Sequence, residues 1–301
     1  MKLRVALAQI NPTLGDLAGN ADLIARYVGA AQAECAALVV FPEMVLTGYP
    51  VEDLALRPSF RSASIAAIAE LAKRLKAEGN GEITAVVGYL DQIAGAPNRQ
   101  GQPVGAPQNA VAIIHNGEIK ARYVKQHLPN YGVFDEFRNF VPGTETLLVR
   151  VGGIDVGIAI CEDLWQDGGL IDALAARQPG LVVVPNGSPF ERNKDDVRLA
   201  LVQKRAREFS APLAYVNMTG GQDDLVFDGD TIVVAADGSV IARAPQFADE
   251  LIVLDIAAAG ATGKPDLVIS ESTNSPVNSV APVITPRLSD EAEIWKALVS
   301  G

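Results

Sequence analysis

Nine short runs rich in apolar and β-branched residues punctuate the chain: Val5–Ile10, Leu38–Phe41, Ile83–Tyr89, Ala110–Ile114, Ile154–Ile160, Leu181–Pro185, Leu213–Val216, Thr231–Ala235 and Leu251–Ile256. Each predicts a strand. Helical spacing of apolar residues predicts helices between several of them, over Ala21–Ala37, Ser59–Glu78, Gly169–Arg177 and Asp195–Phe209. The pairs Asn116-Gly117, Gly152-Gly153 and Asp237-Gly238 predict tight hairpin turns. Strand–helix alternation mixed with hairpins predicts an α/β fold with mixed sheets rather than one all-parallel sheet. Leu38-Val39-Val40-Phe41 and Leu181-Val182-Val183-Val184 are apolar without alternation, so those strands are covered on both faces. Ala94–Pro107 reads as an exposed loop, and Asn193-Lys194-Asp195-Asp196 as the start of a helix. From Ser270 to Arg287 the composition shifts to Ser, Thr, Asn and Pro, predicting a linker or extended strap. Asp290–Val299 then begins a helix for which the sequence offers no packing partner, which predicts truncation of a longer protein.

Composition narrows the class. The 301 residues are 49% hydrophobic and 20% charged, which is globular usage and enough chain for one large domain or two ordinary ones. The charge balance, 25 − 36 = −11, argues against a nucleic-acid partner, which needs a basic face, and against an anionic membrane surface. No apolar run approaches the roughly 20 residues of a membrane span, and the start carries no signal-peptide core, so a cytoplasmic protein is expected. The two cysteines, Cys35 and Cys161, read as thiols in a reducing compartment. Cys35, in an Ala-rich helical context, is expected in the core. There is no Cys/His metal spacing, so no metal is expected.

Chemistry concentrates at Val156–Trp165, where an apolar strand ends at Cys161 and Glu162-Asp163 follow as in the first turn of a helix. This strand-to-helix elbow would place a thiol near backbone N–H groups and the positive end of a helix dipole. An ordinary thiol is only about 3% thiolate at neutral pH, so catalysis would require activation. The alternative is a small buried hydrophobe. Of the two histidines, His115 reads as an exposed loop residue, and a dyad of His127 with Cys161 has no fixed spacing behind it. Glu43, just past the strand Leu38–Phe41, lies where open α/β sheets build their sites, and burial there would make it a usable base. Lys125 could equally be a surface residue.

Taken together, Phe41-Pro42-Glu43, Thr47-Gly48-Tyr49-Pro50, Lys125, Leu128–Glu136, Cys161–Trp165 and Asn186–Phe190 resemble the nitrilase (carbon–nitrogen hydrolase) superfamily. The strings around Tyr131 and Cys161 resemble one branch of it more closely, the glutamine-hydrolysing domains of bacterial glutamine-dependent NAD(+) synthetases. The resemblance implies a four-layer α-β-β-α sandwich with two mixed β-sheets over residues 1–269, followed by a linker and the first helix of a synthetase domain over 270–301. It implies a catalytic set of Glu43 as general base, Lys125 as stabilising cation and Cys161 as nucleophile. Glutamine would be hydrolysed through a thioester, and the freed ammonia would serve ATP-dependent NAD(+) synthesis. Lys125 beside the sulfur would lower the thiol pKa, and the backbone N–H of Glu162 would be a second oxyanion donor. Tyr131, Ser188 and Lys194 fall at positions that contact glutamine in the family. Glu162 has a charge suited to the substrate ammonium, Tyr49 and Phe134 are expected to wall the pocket, and Glu136 to orient Lys125.

The Ser-Gly-Gly-x-x-Ser pyrophosphate loop of the synthetase half does not occur. Gly260–Pro265 fails as a Walker motif, with Ala258 at the first Gly position and Pro265 at the Ser/Thr position. No cofactor is therefore expected in this chain, and ATP and Mg only with a synthetase domain. Such a domain, L-glutamine and further copies of the chain are the partners the resemblance implies. Two rival functions remain: a free-standing amidase, ω-amidase or carbamoylase, which a substrate panel would reveal, and a catalytically silent assembly or regulatory domain, which would bind partners without turnover.

Overall fold

Residues within each apolar run face alternate sides, and that period of two builds the layers. The computed structural model describes residues 1–95, 101–272 and 278–301. Its strands are β1 (Lys2–Gln9), β2 (Leu38–Val40), β3 (Thr84–Gln92), β4 (Pro107–His115), β5 (Glu118–Val124), β6 (Leu147–Val151), β7 (Ile154–Ile158) and β8 (Leu181–Asn186). They continue with β9 (Leu213–Asn217), β10 (Thr219–Gln222), β11 (Leu225–Asp228), β12 (Ile232–Val234), β13 (Val240–Arg243), β14 (Glu250–Ala257) and β15 (Leu267–Val268). The helices are α1 (Leu17–Ala33), α2 (Pro58–Ala77), α3 (Glu136–Asn139), α4 (Leu170–Ala176), α5 (Lys194–Phe209) and α6 (Asp290–Ser300).

One sheet runs β14-β1-β2-β3-β4-β5 and the other β13-β12-β9-β8-β7-β6-β15; β10 and β11 form a separate hairpin. Both large sheets are mixed. β1, β2 and β3 are parallel with antiparallel flanks, and so are β7, β8 and β9. Leu3, Val5, Leu7, Leu38, Val40, Val86, Val111 and Ile113 of the first sheet share a core with Leu148, Val156, Ile158, Val182 and Val184 of the second. The alternate residues, Ala6, Ala8, Val39, Phe41, Val87 and Ile114, pack outward with Ile24, Val28, Ile68 and Leu71 of α1 and α2. Val202, Ala206 and Phe209 of α5 and Leu174 of α4 join the core on the second sheet's side. The result is the predicted α-β-β-α sandwich. Every predicted strand and all three hairpin turns are present.

Several expectations are corrected. α1 starts at Leu17 and not Ala21, because the Asp16 side chain accepts the Gly19 N–H and caps the helix. It ends at Ala33, and the chain turns into the left-handed region at Cys35 (φ 58°), which leaves that thiol exposed instead of in the core. His115 is the last residue of β4 and half-buried, not an exposed loop residue. Of the Ala94–Pro107 loop, residues 96–100 lie outside the described residues, as do 273–277 of the predicted strap. From Asn278 onward the strap is bonded to the sandwich: Val280 N–H donates to Asp255 and Arg243 N–H to the Val283 carbonyl. Arg287 pairs with Asp195 and with Asp196 at the start of α5. α6, expected to lack a partner, packs on β11 and buries Glu293, which accepts from Gln246. Its Trp295, Leu298 and Val299 remain exposed. Among the described residues no helix is long and apolar enough to cross a membrane.

Candidate functional site

Glu43 lies one residue past Pro42, where the chain leaves β2 and crosses β3. The crossing is close: a Cβ on Gly88 of β3 would sit 2.2 Å from the Met44 nitrogen, so only glycine permits it. The buried Glu43 carboxylate accepts from Lys125 Nζ at 2.8 Å, Asn109 Nδ2 at 2.6 Å and the Gly187 N–H at 2.9 Å. Gly187 is the residue after β8, so this carboxylate bridges the carboxyl ends of strands in both sheets. Lys125, the residue after β5, is also fully buried and pairs a second time, with Glu136 of α3 at 2.9 Å. One cation therefore stands between two carboxylates. Burial works against the Lys125 charge, but Glu136 and Glu43 outweigh it, and its pKa lies well above the ordinary lysine value.

Glu136 responds in the opposite sense. Burial, reinforced by the charge of Glu43, pushes it up to about 7 against the pull of Lys125 and of the Tyr49 hydroxyl, which donates at 2.9 Å. Because its pKa is raised on folding, protonated Glu136 contributes stability that is complete below the ordinary value near 4.5 and is lost as pH rises through about 7. Glu136→Gln is thus expected to flatten the fall in Tm between about pH 5 and about pH 8 by a few degrees relative to the parent chain. Parallel Tm–pH curves for the two proteins would remove Glu136 from the titrating groups.

Cys161 follows β7 and begins a single 3-10 turn, Cys161–Leu164, with φ 44°. That left-handed backbone at a non-glycine residue is the strained geometry of an elbow. The turn is shorter than the helix start expected, and the thiol is 5% exposed. Burial first, then the charges of Glu43, Glu162 and Glu136, push its pKa well above the ordinary thiol value; only Lys125 opposes them. Lys125 does pull the thiol pKa down, as expected, but burial and the carboxylates outweigh that pull and the net shift is upward.

In front of the sulfur lies a cleft of about 330 Å³ whose lining includes Tyr131, Phe134, Glu162, Trp165, Ser188, Arg192 and Lys194. The Glu162 carboxylate, 4% exposed, accepts from the Tyr131 hydroxyl at 2.8 Å and from Gln166 Nε2 at 3.0 Å. Ser188 is held on every polar atom. Its N–H donates to Asn217 Oδ1, its carbonyl accepts from Asn217 and Arg198, and its Oγ accepts from Arg198 Nε at 3.2 Å. Arg198 is fixed in turn by Asp228, with both carboxylate oxygens at 2.8 Å, and both residues are buried. With Oγ already accepting, the Ser188 hydroxyl keeps one hydrogen to donate, and the buried Tyr215 hydroxyl is a neighbour within reach of it. Lys194 opens α5, pairs with Glu191 and stands 5.9 Å above the Phe134 ring.

The structure therefore brings Glu43, Lys125, Glu136 and Cys161 into one buried cluster, and Tyr131, Phe134, Glu162, Ser188 and Lys194 into the cleft before it. Tyr49 is corrected. Its ring lies against Gly187, and its hydroxyl supports Glu136 from behind, so it does not line the cleft. His127 faces Asp163, with Nδ1 3.5 Å from the carboxylate. Asn109, Asn217, Arg198 and Asp228 were missed, since a lone Asn or Arg in a strand or helix run carries no local signal of its long-range partner. Gly88 and Gly187 left a trace, as glycines in or beside continuous strand runs, where a close backbone approach is the usual reason.

Known proteins resemble the chain along most of its length. The carbon–nitrogen hydrolase family profile matches residues 4–264. The glutamine-dependent NAD(+) synthetase of Xanthomonas campestris pv. campestris is 39% identical over 99% of this chain and 49% of its own length. That of Thermotoga maritima is 36% identical over 100% of this chain and 53% of its own. The chain thus spans about half the length of these relatives. Among solved structures, a glutamine-dependent NAD+ synthetase from Acinetobacter baumannii, in complex with ADP, superposes with a TM-score of 0.81 at 30% identity, covering 100% of this chain and 51% of that one. An amidase from Nesterenkonia sp. AN1 superposes with a TM-score of 0.70 at 25% identity, covering 85% of this chain and 90% of that one.

Proposed function

The chain belongs to the carbon–nitrogen hydrolase family, and from that premise we propose that it hydrolyses L-glutamine to glutamate and ammonia, with the ammonia passed to NAD(+) synthesis by a synthetase domain. The observation that supports this reading best is the buried Glu43–Lys125–Glu136 cluster beside the Cys161 thiol, opening on a cleft with fixed groups of both charges. A zwitterionic amino acid needs partners for both its ammonium and its carboxylate. Glu162 would accept the ammonium; Lys194 and the Ser188 hydroxyl would meet the carboxylate.

A thiol whose pKa is pushed up by burial has to lose its proton as it attacks. As the sulfur attacks the side-chain carboxamide carbon, Glu43 removes the thiol proton, and the carbonyl π pair moves to oxygen. Lys125 stabilises that oxyanion, with the Glu162 N–H as second donor. Glu43 returns the proton to the departing nitrogen, ammonia leaves and a thioester remains. Water, deprotonated by Glu43, then attacks the thioester; glutamate departs and the thiol regains its proton. Glu136 holds Lys125 in place throughout. Residues 1–269 would carry this chemistry and 270–301 the passage to the synthetase domain, where ATP and Mg would act. Association of several copies and a cytoplasmic setting complete the proposal.

The direct test is incubation with an electrophilic glutamine analogue followed by intact mass. One adduct, mapped to Cys161 and blocked by glutamine but not by other amides, supports the reading. Blocking by simple amides such as acetamide would favour the general amidase activity named for the Nesterenkonia relative. Glu162→Gln checks the substrate pose. Losing one charge-assisted hydrogen bond, about 1.5–3 kcal/mol, should raise KM for glutamine about 10- to 100-fold with kcat nearly unchanged. An analogue lacking the α-amino group should show no such rise. If it does, Glu162 does not face the ammonium.

A further inference from the structure

The steps above leave one buried charge beside the nucleophile unused. Asp163 is fully buried, and its carboxylate accepts four hydrogen bonds. Oδ2 receives the Ile160 N–H at 2.9 Å and the Tyr123 hydroxyl at 2.7 Å. Oδ1 receives the N–H groups of Gln126 at 3.0 Å and His127 at 2.9 Å. Only the Ile160 bond belongs to its own turn. The other three reach across to β5 and to the two residues after Lys125.

This pattern matters because Lys125 and Cys161 come from different sheets. Lys125 follows β5 at the edge of the first sheet, and Cys161 follows β7 inside the second. Ladder hydrogen bonds fix positions within a sheet; the core between the sheets is apolar packing, which sets separation more loosely than a directional bond, and directional bonds across it, such as Gly187 N–H to Glu43, fix single points elsewhere. Asp163 closes that gap. It grips the backbone immediately after the lysine and the amide immediately before the cysteine with one planar group. A carboxylate suits the place, since it is acceptor-only and all four partners are donors. A turn-capping role alone would need the Ile160 bond and none of the other three.

We propose that Asp163 is a positioning residue that sets the spacing between the Lys125 ammonium and the Cys161 sulfur. The inference rests on the reading of Lys125 and Cys161 as the reacting pair. Asp163→Asn keeps the volume but turns an NH2 group toward N–H donors, so the two segments must move apart. Misplacement on the order of 1 Å costs about 100-fold in rate. Accordingly, kcat for glutamine should fall about 100-fold with KM within about threefold. Tyr123→Phe, which removes one donor and introduces no clash, should lower kcat severalfold with the same KM and serves if the Asn variant does not fold.

The decisive readout is alkylation of Cys161 by iodoacetamide across pH, which needs no turnover. Lys125 is the group that favours the thiolate, so a wider spacing should move the alkylation profile to higher pH in both variants. A profile unchanged from the parent in folded Asp163→Asn or Tyr123→Phe overturns the inference, as does a kcat retained within twofold. Parent chain that is alkylated at Cys161 but does not consume glutamine would count against the proposed activity alone. A shifted profile in the variants would then still support the spacing role.

Discussion

Cys161→Ala is expected to lower glutamine turnover by at least about four orders of magnitude while leaving the fold intact. The sulfur is the nucleophile of the proposed reaction, and an alanine offers Glu43 no proton to take. Neither neighbouring carboxylate is a substitute nucleophile, because Glu43 and Glu136 are both held by Lys125. Folding should tolerate the change. One buried sulfur is lost from a residue that is already 5% exposed, a cost of about 1–2 kcal/mol at most, hence a Tm change of only a few degrees. Removing the thiol also relieves the cluster of a group whose ionisation it resists. Release of glutamate, a Tm and the intact mass after the electrophilic analogue check the prediction together. A variant rate within tenfold of the parent, or an adduct on the variant, would place the nucleophile elsewhere.

Lys125→Met should impair both activity and stability, and the stability loss carries a pH signature. Removing one partner from a buried ion pair leaves uncompensated charge, at about 3–5 kcal/mol; here two carboxylates lose the same cation. For a domain of this size that is about 10 °C in Tm. The carboxylates can then avoid repulsion only by protonating, and Glu136, already raised to about 7 in the parent, loses the cation that pulled it down. By linkage, the stability they contribute is present below about pH 4.5 and lost as pH rises. The variant should therefore be closest to the parent near pH 5 and furthest from it near pH 8. Glutamine turnover should fall by at least about 100-fold at every pH, since the oxyanion loses its cation. Thermal denaturation at several pH values measures the first effect; a deficit independent of pH would mean that Lys125 acts through packing and not through charge.

Much of the architecture was legible from local pattern. Continuous apolar runs such as Leu38–Phe41 and Leu181–Val184 announced strands buried on both faces, because both sides of the pleat had to find apolar partners. Asn116-Gly117 and Asp237-Gly238 announced hairpins, because few residues adopt the turn's left-handed backbone. Errors arose where a distant partner overrode the local signal. Cys35 looked like core in an Ala-rich helix, but α1 stops two residues earlier and exposes it. α6 looked partnerless because β11, which it covers, is only four residues long.

The candidate site divides the same way. Residue type and nearest neighbours, together with a family likeness, marked Glu43, Lys125, Cys161, Tyr131, Ser188 and Lys194. They could not mark Asn109, Arg198, Asp228 or the clamp made by Asp163, whose long-range partners lie 30 to 66 residues away. Nor could they give the protonation state of the sulfur. The family likeness puts a lysine beside the sulfur and suggests an acidic thiol, whereas burial and three carboxylates push its pKa up. Chain-local pattern determines which segments become strands and helices, since backbone propensity and the period of apolar residues act over a few neighbours. Folding alone decides charge environment, because desolvation and Coulomb interactions depend on which distant groups are brought together and on how much water is left between them.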